Sequence, residues 1–353
     1  MSAEEKIVAC SDCFRDQGLR LDAQLIGVEA PDPCGNCGSI NGRKLNSHRL
    51  ATLAYRFFVW GSLLRCDYGA APLIQFNQHQ KTSVVLPNWL QPDARLIESI
   101  LGVGFFHYGP RLWMVGEVEP LKALQDEASS GQIIERVLGE YPGRLLRSED
   151  FFYRIRKAPR SPDLPYEYDS PPPGVAACGR LDSSGCPVMY ASPDLQVCIH
   201  ECRVTAEDEL YVATLAPTRT LRLLDLSALL THEETTEFES LDMAMHMLFL
   251  AGPHSYPVAR RISVAARWAG FDGLVYPSYF SLLRNGVMPF ETTYGISHRR
   301  VPSMQEYEQA KSIPNLAIFG RPIEDGKLEL RCIDRLILNR VEYGVHFGPI
   351  GFN

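Results

Sequence analysis

Residues 178–203, CGRLDSSGCPVMYASPDLQVCIHECR, set an arginine, a tyrosine and a glutamate around one strand-to-helix turn. Gly179-Arg180 leads into a turn over Asp182-Ser183-Ser184-Gly185, and PVMYA reads as a short strand carrying Tyr190. Ser192-Pro193-Asp194 then marks a helix start, with serine as the cap, proline in the first turn and an acid near the positive end of the dipole. Leu195, Cys198, Ile199 and Cys202 recur at helical spacing and are expected to face a core. Glu201 falls on the flank of that stripe, neither deeply buried nor pointing straight out. That position suits either a solvated helix glutamate or a partly shielded functional carboxylate. His200 points about 100° away from Glu201 on a helix, so it reads as a core or surface histidine rather than a base.

The same alternation of strands and helices continues on both sides. FFYRIR, residues 151–156, is aromatic and β-branched and reads as a strand. The proline-rich APRSPDLPYEYDSPPPG after it is a loop. ELYVATLA and RTLRLLDL read as strands. HSYPVARRISVAARWAGFDGLVYPS reads as helix, turn and strand, with Ser255 or Tyr256 as cap, Pro257 in the first turn, Gly270 at the end and Ser278 at the strand exit. Arg260, Arg261 and Arg267 read as its solvated face. NLAIFG is a late strand, and the helical stretch before it opens on the capping-box pattern Ser303-Met304-Gln305-Glu306. The fold class is therefore α+β, with a boundary placed near residue 148 and no internal repeat.

The N-terminal part has a different character. Cys10 and Cys13 form one C-x2-C pair, and Cys34 and Cys37 form a second. Two residues between cysteines let both sulfurs of a knuckle face one ion, and two knuckles give a tetrahedral four-thiolate set that favours zinc. Gly35 and Gly38 permit the tight backbone. Such a set has no open coordination position, so Zn2+ is expected to be structural. From Asn46 the pattern turns helical, through SHRLATLAYRFFVWGSLLR, PDARLIESILG and LKALQDEASSGQIIERVLGEY, the last broken near Ser129-Ser130-Gly131. The expected organisation is a zinc-binding knuckle over 1–45, a helical domain over 46–148 and an α+β domain over 149–353.

Bulk properties narrow the classes. The chain has 353 residues, enough for two domains, and a 45% apolar share that supports sizeable cores. A net charge of −7 makes nucleic acid an unlikely partner. No run reaches the roughly 18–20 apolar residues needed to span a bilayer. The acidic start MSAEEKIVACSDC lacks the order of a signal peptide. A cytoplasmic protein with reduced thiols is expected, because ten cysteines without a secretion signal do not read as a disulfide framework. Neither a Walker loop nor a G-x-G-x-x-G fingerprint occurs, so no resident dinucleotide redox cofactor is expected.

FFYRIR, GRLDSSGCPVMYAS with HECR, FDGLVYPS and NLAIF, in that order, resemble the RES domain family over roughly residues 150–320. The resemblance implies a fold similar to that of ADP-ribosyltransferases. It implies consumption of NAD+ by glycohydrolysis or phosphorolysis, or transfer of ADP-ribose, often as the toxin of a toxin–antitoxin pair. The cysteine pairs and helical segment look like the N-terminal domain that accompanies some longer RES proteins. Matched residue by residue, the family's strand arginine falls on Arg154, the arginine of its Gly-Arg turn on Arg180, its tyrosine on Tyr190 and its glutamate on Glu201. Its serine falls on Ser255 or Ser278. The turn departs from the family pattern at Leu181-Asp182, which removes an aromatic and adds negative charge near a dianionic ligand.

This resemblance implies roles for these residues. Arg154 and Arg180 would hold pyrophosphate oxygens, as a bidentate fork can. Tyr190 would stack on nicotinamide or donate to the ribose, and a serine would hold the carboxamide or a phosphate. Glu201 would stabilise the oxocarbenium character that builds up as the nicotinamide–ribose bond breaks. Protein ADP-ribosyl transfer on the same site, and an inactive RES-like zinc-ribbon binding protein, are the alternative readings. Loss of NAD+ harms its host, so an antitoxin or another inhibitory partner is expected.

Overall fold

The computed structural model describes residues 6–66, 68–108, 118–172, 179–183, 185–230, 236, 239–281, 292–293, 296–345 and 347–351. Contacts divide the chain into one unit of Met1–Val115 with Glu342–Asn353 and a second of Gly116–Val341.

In the first unit, β1 (Ile7–Cys10) pairs antiparallel with β2 (Lys44–Asn46), and the cysteine pairs lie at the end of β1 and in the loop before β2. Helix α1 (Gln17–Ile26) starts where the Asp16 carboxylate accepts from the Leu19 amide at 3.0 Å. Asn46 likewise caps α2 (Ser47–Ala54), accepting from Arg49 N at 2.9 Å. The helix expected to run on to Arg65 is shorter. After Ala54 it passes through a π turn and a 3-10 turn into β3 (Leu63–Cys66), which pairs with β4 (Gly69–Pro72). The turn is set by Gly61, where a Cβ would lie 2.3 Å from the Cα of Gly348 in the returning C-terminal segment, so only glycine fits. β5 (Ile74–Asn77) pairs with β6 (Gly104–His107), and between them runs α3 (Gln91–Leu101), closed by Gly102 at φ 64°. Ala9, Phe14 and Leu45 from the knuckle share one core with Leu53, Phe58, Ile97 and Phe105. The knuckle and the helical segment as far as β6 thus share one core, while α4 and α5 belong to the second unit.

The second unit opens with α4 (Glu119–Gln125) and α5 (Ser130–Glu140), broken where Asp126 accepts from the Ser129 amide and hydroxyl. β7 (Gly143–Leu146) follows and pairs with Leu221–Leu224. The expected boundary near 148 therefore lies inside this unit, because β7 completes a sheet whose other strands come later in the chain. That sheet has the order β7-β11-β12-β15-β9, where β9 is Val188–Ala191, β11 Leu221–Asp225, β12 Gly273–Pro277 and β15 Pro314–Phe319. β11 and β12 run parallel, and the other pairs are antiparallel. A second, antiparallel sheet has the order β16-β10-β8, with β8 Phe152–Lys157, β10 Leu210–Pro217 and β16 Leu328–Leu336.

One core joins the two sheets. It contains Phe152, Ala213, Leu215 and Leu328 from the three-stranded sheet and Met189, Ala191, Leu223, Val275, Leu316 and Ile318 from the five-stranded one. Side chains alternate across a strand, so Tyr190, Tyr276, Ser278 and Asn315 fall on the opposite face of the larger sheet.

Helix α6 (Leu195–Glu201) packs Cys198, with Leu195, Ile199 and Cys202, on Ile155, Leu210 and Val212. Its cap is Asp194, which accepts from Val197 N at 3.0 Å, and not Ser192, whose hydroxyl accepts from the Asp194 amide. Helix α7 (Leu241–Leu250), which no sequence signal marked, is buried along almost its whole length. Helix α8 (Tyr256–Trp268) begins after Ser255, whose hydroxyl donates to Gly252 O rather than capping, and ends at Gly270 with φ 82°. Of its arginines, Arg267 is exposed as expected, whereas Arg260 and Arg261 are half-buried. Arg260 donates to Gly179 O, Arg261 to Leu124 O and Ser130 Oγ, and Arg267 to Gly185 O.

The stretch between Ser278 and β15 contributes β13 (Thr292–Thr293), β14 (Ile296–Ser297) and α9 (Gln305–Lys311). Residues 282–291 and 294–295 lie outside the described residues. The expected capping box is not formed, since Met304 holds the cap position without a side-chain bond. The segment is instead tied down by a buried Arg299–Asp242 ion pair at 2.7 Å and by Gln309, which bonds the main chain at Ser227 and Leu229.

Candidate active site and cysteine cluster

Helix α6 stops immediately after Glu201. Arg203 adopts the left-handed conformation (φ 47°) and returns its amide to His200 O at 3.0 Å. This fixes Glu201 in the last turn, where the backbone bridge between Tyr153 and Ser192 has already joined the two sheets at the start of the helix. Glu201 is exposed as a residue, yet its Oε1 accepts two hydrogen bonds from buried groups. Ser278 Oγ donates at 2.7 Å and Asn315 Nδ2 at 2.6 Å. Ser278 and Asn315 are 1% and 2% exposed. Ser278 Oγ also accepts from Phe280 N at 3.1 Å, so its proton is committed to the carboxylate.

Tyr276 lies beside this group and stacks on Phe249 at 5.0 Å between ring centres. Burial, and then the charge of Glu201, hold its phenol well above the ordinary tyrosine range, with Tyr190 and Arg180 close enough to act on it too. His200 stacks on Phe280 (5.7 Å, 17°) and takes no part in the carboxylate's hydrogen bonds.

Tyr190 donates to Asp182 Oδ1 at 2.9 Å and accepts from Leu181 N at 2.8 Å, so its hydroxyl is fully engaged. Burial and the Asp182 charge push its phenol far up. Asp182, read from the sequence as an intrusive negative charge, thus has a partner in the tyrosine hydroxyl. Gly179 is required beside this pair, because a Cβ there would lie 2.2 Å from Asp182 Oδ1.

Arg180 is half-buried over the Tyr256 ring (4.9 Å) and donates to Leu248 O, Ala251 O and Ser255 Oγ at 2.9, 2.8 and 3.2 Å. Arg154 is buried. Its Nη1 donates to Tyr190 O at 2.7 Å and its Nη2 to Asp169 O at 3.1 Å. Desolvation, reinforced by neighbouring Arg156, brings its guanidinium down to about 9.

Of the residues read from the sequence, Glu201 and Ser278 touch each other, Arg180 and Ser255 touch each other, and Arg154 meets Tyr190 through its main chain. Asn315, Tyr276 and the Asp182 partnership were missed. The signal for Asn315 was present: it is a polar residue near the start of an apolar strand, in phase with the buried Ala317 and Phe319.

In the first unit, the four sulfurs of Cys10, Cys13, Cys34 and Cys37 lie within 4.8 Å of one another. Cys10–Cys37 and Cys13–Cys34 are 3.5 Å apart and Cys10–Cys13 3.8 Å. A tetrahedral zinc with bonds of about 2.3 Å has sulfurs about 3.8 Å apart, so the donor set fits. Gly38 (φ 72°) turns the second knuckle, and Asn36 Nδ2 donates to Cys13 Sγ at 3.4 Å. Burial pushes the Cys13 thiol up to about 11. Burial also acts on Cys34, but the amides of Cys37 and Asn36 together with hydrogen bonds from Cys13 and Cys10 bring that thiol to about 7. These four cysteines would hold Zn2+ as a closed structural site.

Residues 151–317 match the family model of the RES domain, and the chain carries a RES domain there. A solved structure described as the crystal structure of the M. tuberculosis MbcT–MbcA toxin–antitoxin complex is similar over 58% of this chain and 91% of that chain, with 14% identity and a TM-score of 0.31. No curated protein matches the chain. Among the described residues, no helix is long and apolar enough to cross a membrane.

Proposed function

We propose that the second unit is an NAD+-consuming enzyme that breaks the nicotinamide–ribose bond. The observation that carries this reading is the Glu201 carboxylate, fixed through one oxygen by two buried donors and exposed through the rest, within a matched RES domain. As the C1′–N bond breaks, its electron pair leaves with nicotinamide and neutralises the pyridinium. Positive charge then spreads over C1′ and the ring oxygen of the ribose. A fixed carboxylate stabilises that charge at the moment it forms. Water then bonds to C1′ and releases a proton, giving ADP-ribose, or phosphate bonds there and gives ADP-ribose 1″-phosphate.

The hydrogen bonds above refine the roles of the other groups. Arg154 acts as a positioning residue that holds the backbone of Tyr190 from below. Tyr190, with its hydroxyl engaged, offers its ring face to the substrate. Arg180 contributes positive potential for the pyrophosphate while anchoring the end of α7. Ser278 serves the glutamate, and Ser255 serves Arg180. The fold of this unit is read as ADP-ribosyltransferase-like. NAD+ loss is toxic to any cell that makes the enzyme, so a protein antitoxin restrains it in a toxin–antitoxin arrangement in the cytoplasm. The cysteine-rich unit binds zinc as a structural staple.

Mass-spectrometric analysis of purified protein incubated with NAD+, with and without phosphate, tests the reaction. Nicotinamide with ADP-ribose identifies a glycohydrolase, and a phosphorylated product that needs phosphate identifies a phosphorylase. Mass added to a protein would replace both with ADP-ribosyl transfer. Untouched NAD+ would overturn the reading.

A further inference from the structure

Asn315 sits at a position where packing alone favours an apolar side chain. It is the second residue of β15, is 2% exposed, and is followed by Leu316, Ala317, Ile318 and Phe319, all buried. Opposite it in the ladder is Tyr276, itself buried. Its orientation is fixed by chemistry, because an ionised carboxylate only accepts, so the group 2.6 Å from Glu201 Oε1 must be the amide nitrogen. The price is visible at the other end of the amide: Asn315 Oδ1 is buried and meets no hydrogen-bond donor. A buried orphan acceptor destabilises a fold, so a side chain that carries one while its amide nitrogen serves the Glu201 carboxylate and the neighbouring Tyr276 phenol is explained by its charged partner rather than by packing.

Ser278 completes the arrangement from the neighbouring strand. It donates to the same Oε1 and is locked in turn by Phe280 N, while Ser281 Oγ donates to Ser278 O at 2.8 Å and accepts from Ile313 N at 3.0 Å. The ends of β12 and β15 are therefore stitched together directly beneath the glutamate. Both donors occupy Oε1. Among the described residues, no donor meets Oε2.

We infer that Asn315 is a positioning residue for the reaction. With Ser278 it forms a two-donor clamp that immobilises one oxygen of Glu201 and presents Oε2 to the ribose. The inference rests on the NAD+-cleaving reading and adds to it which oxygen acts and what aims it. A carboxylate held through one oxygen loses rotational freedom about its terminal bond. Its charge is then in place before the transition state forms, which is where preorganisation contributes to rate.

The test is a double-mutant cycle on nicotinamide release from NAD+, using the full chain. Asn315→Ala is expected to lower kcat about ten- to a hundredfold, the range for a lost hydrogen bond to a charged group, with KM nearly unchanged. Asn315→Asp keeps the shape, removes the donor and places a second carboxylate against Glu201, and is expected to lose more. In the Glu201→Gln background, Asn315→Ala should have no further effect, because its role runs through the glutamate. A purely structural role would instead give additive losses and a lower melting temperature. Should Asn315→Ala fail to fold, Asn315→Asp and Ser278→Ala carry the same comparison. Full turnover in folded Asn315→Ala or Asn315→Asp, or additive losses in the cycle, overturns the clamp while leaving the reaction standing. Wild-type protein that leaves NAD+ intact, or a Glu201→Gln variant with undiminished turnover, overturns the reaction and the clamp with it.

Discussion

Cys10 and Cys37, at opposite ends of the cysteine cluster, are separated by 27 positions, whereas Glu201 meets donors 77 and 114 positions away. The first group is closed by two tight turns in one loop system. The second is closed by sheet register, since Ser278 and Asn315 come together only because β12 pairs with β15 and α6 ends above them. The difference extends to energetics. With zinc bound, the four thiolates would supply their unit with binding energy from an ion, while the glutamate is held by buried donors of a packed body, one of which leaves an acceptor without a partner.

The largest expected effect falls on the cysteine cluster. Replacing Cys10 or Cys34 with serine, or removing metal with a chelator, should abolish one zinc equivalent and unfold the first unit, since structural zinc supplies on the order of 10 kcal/mol to such sites. Zinc content and circular dichroism measure this. Full folding without metal would break the contrast between the two regions.

Arg154→Leu comes next. It removes the guanidinium bond to Tyr190 O, while Asp169 O keeps Arg156 as a donor, and should destabilise the protein by ~2 kcal/mol in denaturant unfolding. Unchanged stability with lost NAD+ affinity would instead place this arginine on the substrate.

A pH dependence comes last. Burial, helped by the charge of Arg299, lowers His246 in α7 from 6.5 to about 3. The folded state keeps this histidine neutral while the unfolded chain protonates it. Stability is therefore complete above pH 6.5 and falls as pH drops towards 3. Between pH 7 and 5 the loss should be about 2 kcal/mol, and His246→Phe should flatten it. Identical unfolding curves for the two proteins at pH 5 and 7 would contradict this.

Much of the frame was legible in the sequence. Strands such as FFYRIR and NLAIF announce themselves by composition, and the cysteine pairs by spacing. Glu201 could be placed on a helix flank from the period of Leu195, Cys198 and Cys202. The partners were harder to see. Nothing local to Asn315 says that a carboxylate lies above it, and the engagement of Tyr190 by Asp182 depends on how closely the backbone passes at Gly179. Arginines were the most misleading. Arg260 and Arg261 have the spacing of a solvated face, yet both are half-buried and donate to main-chain carbonyls, because a guanidinium can reach across a gap that periodicity does not register. Helix α7 escaped because it is apolar on all sides and shows no stripe.

The most direct test of the central claim is the rate of nicotinamide release from NAD+ by the wild-type protein and by Glu201→Gln, both checked for equal folding by their melting curves. The account predicts turnover by the wild type and a loss of about a hundredfold or more in the variant, the scale for a fixed group that stabilises transition-state charge. Equal rates in the two proteins would contradict it.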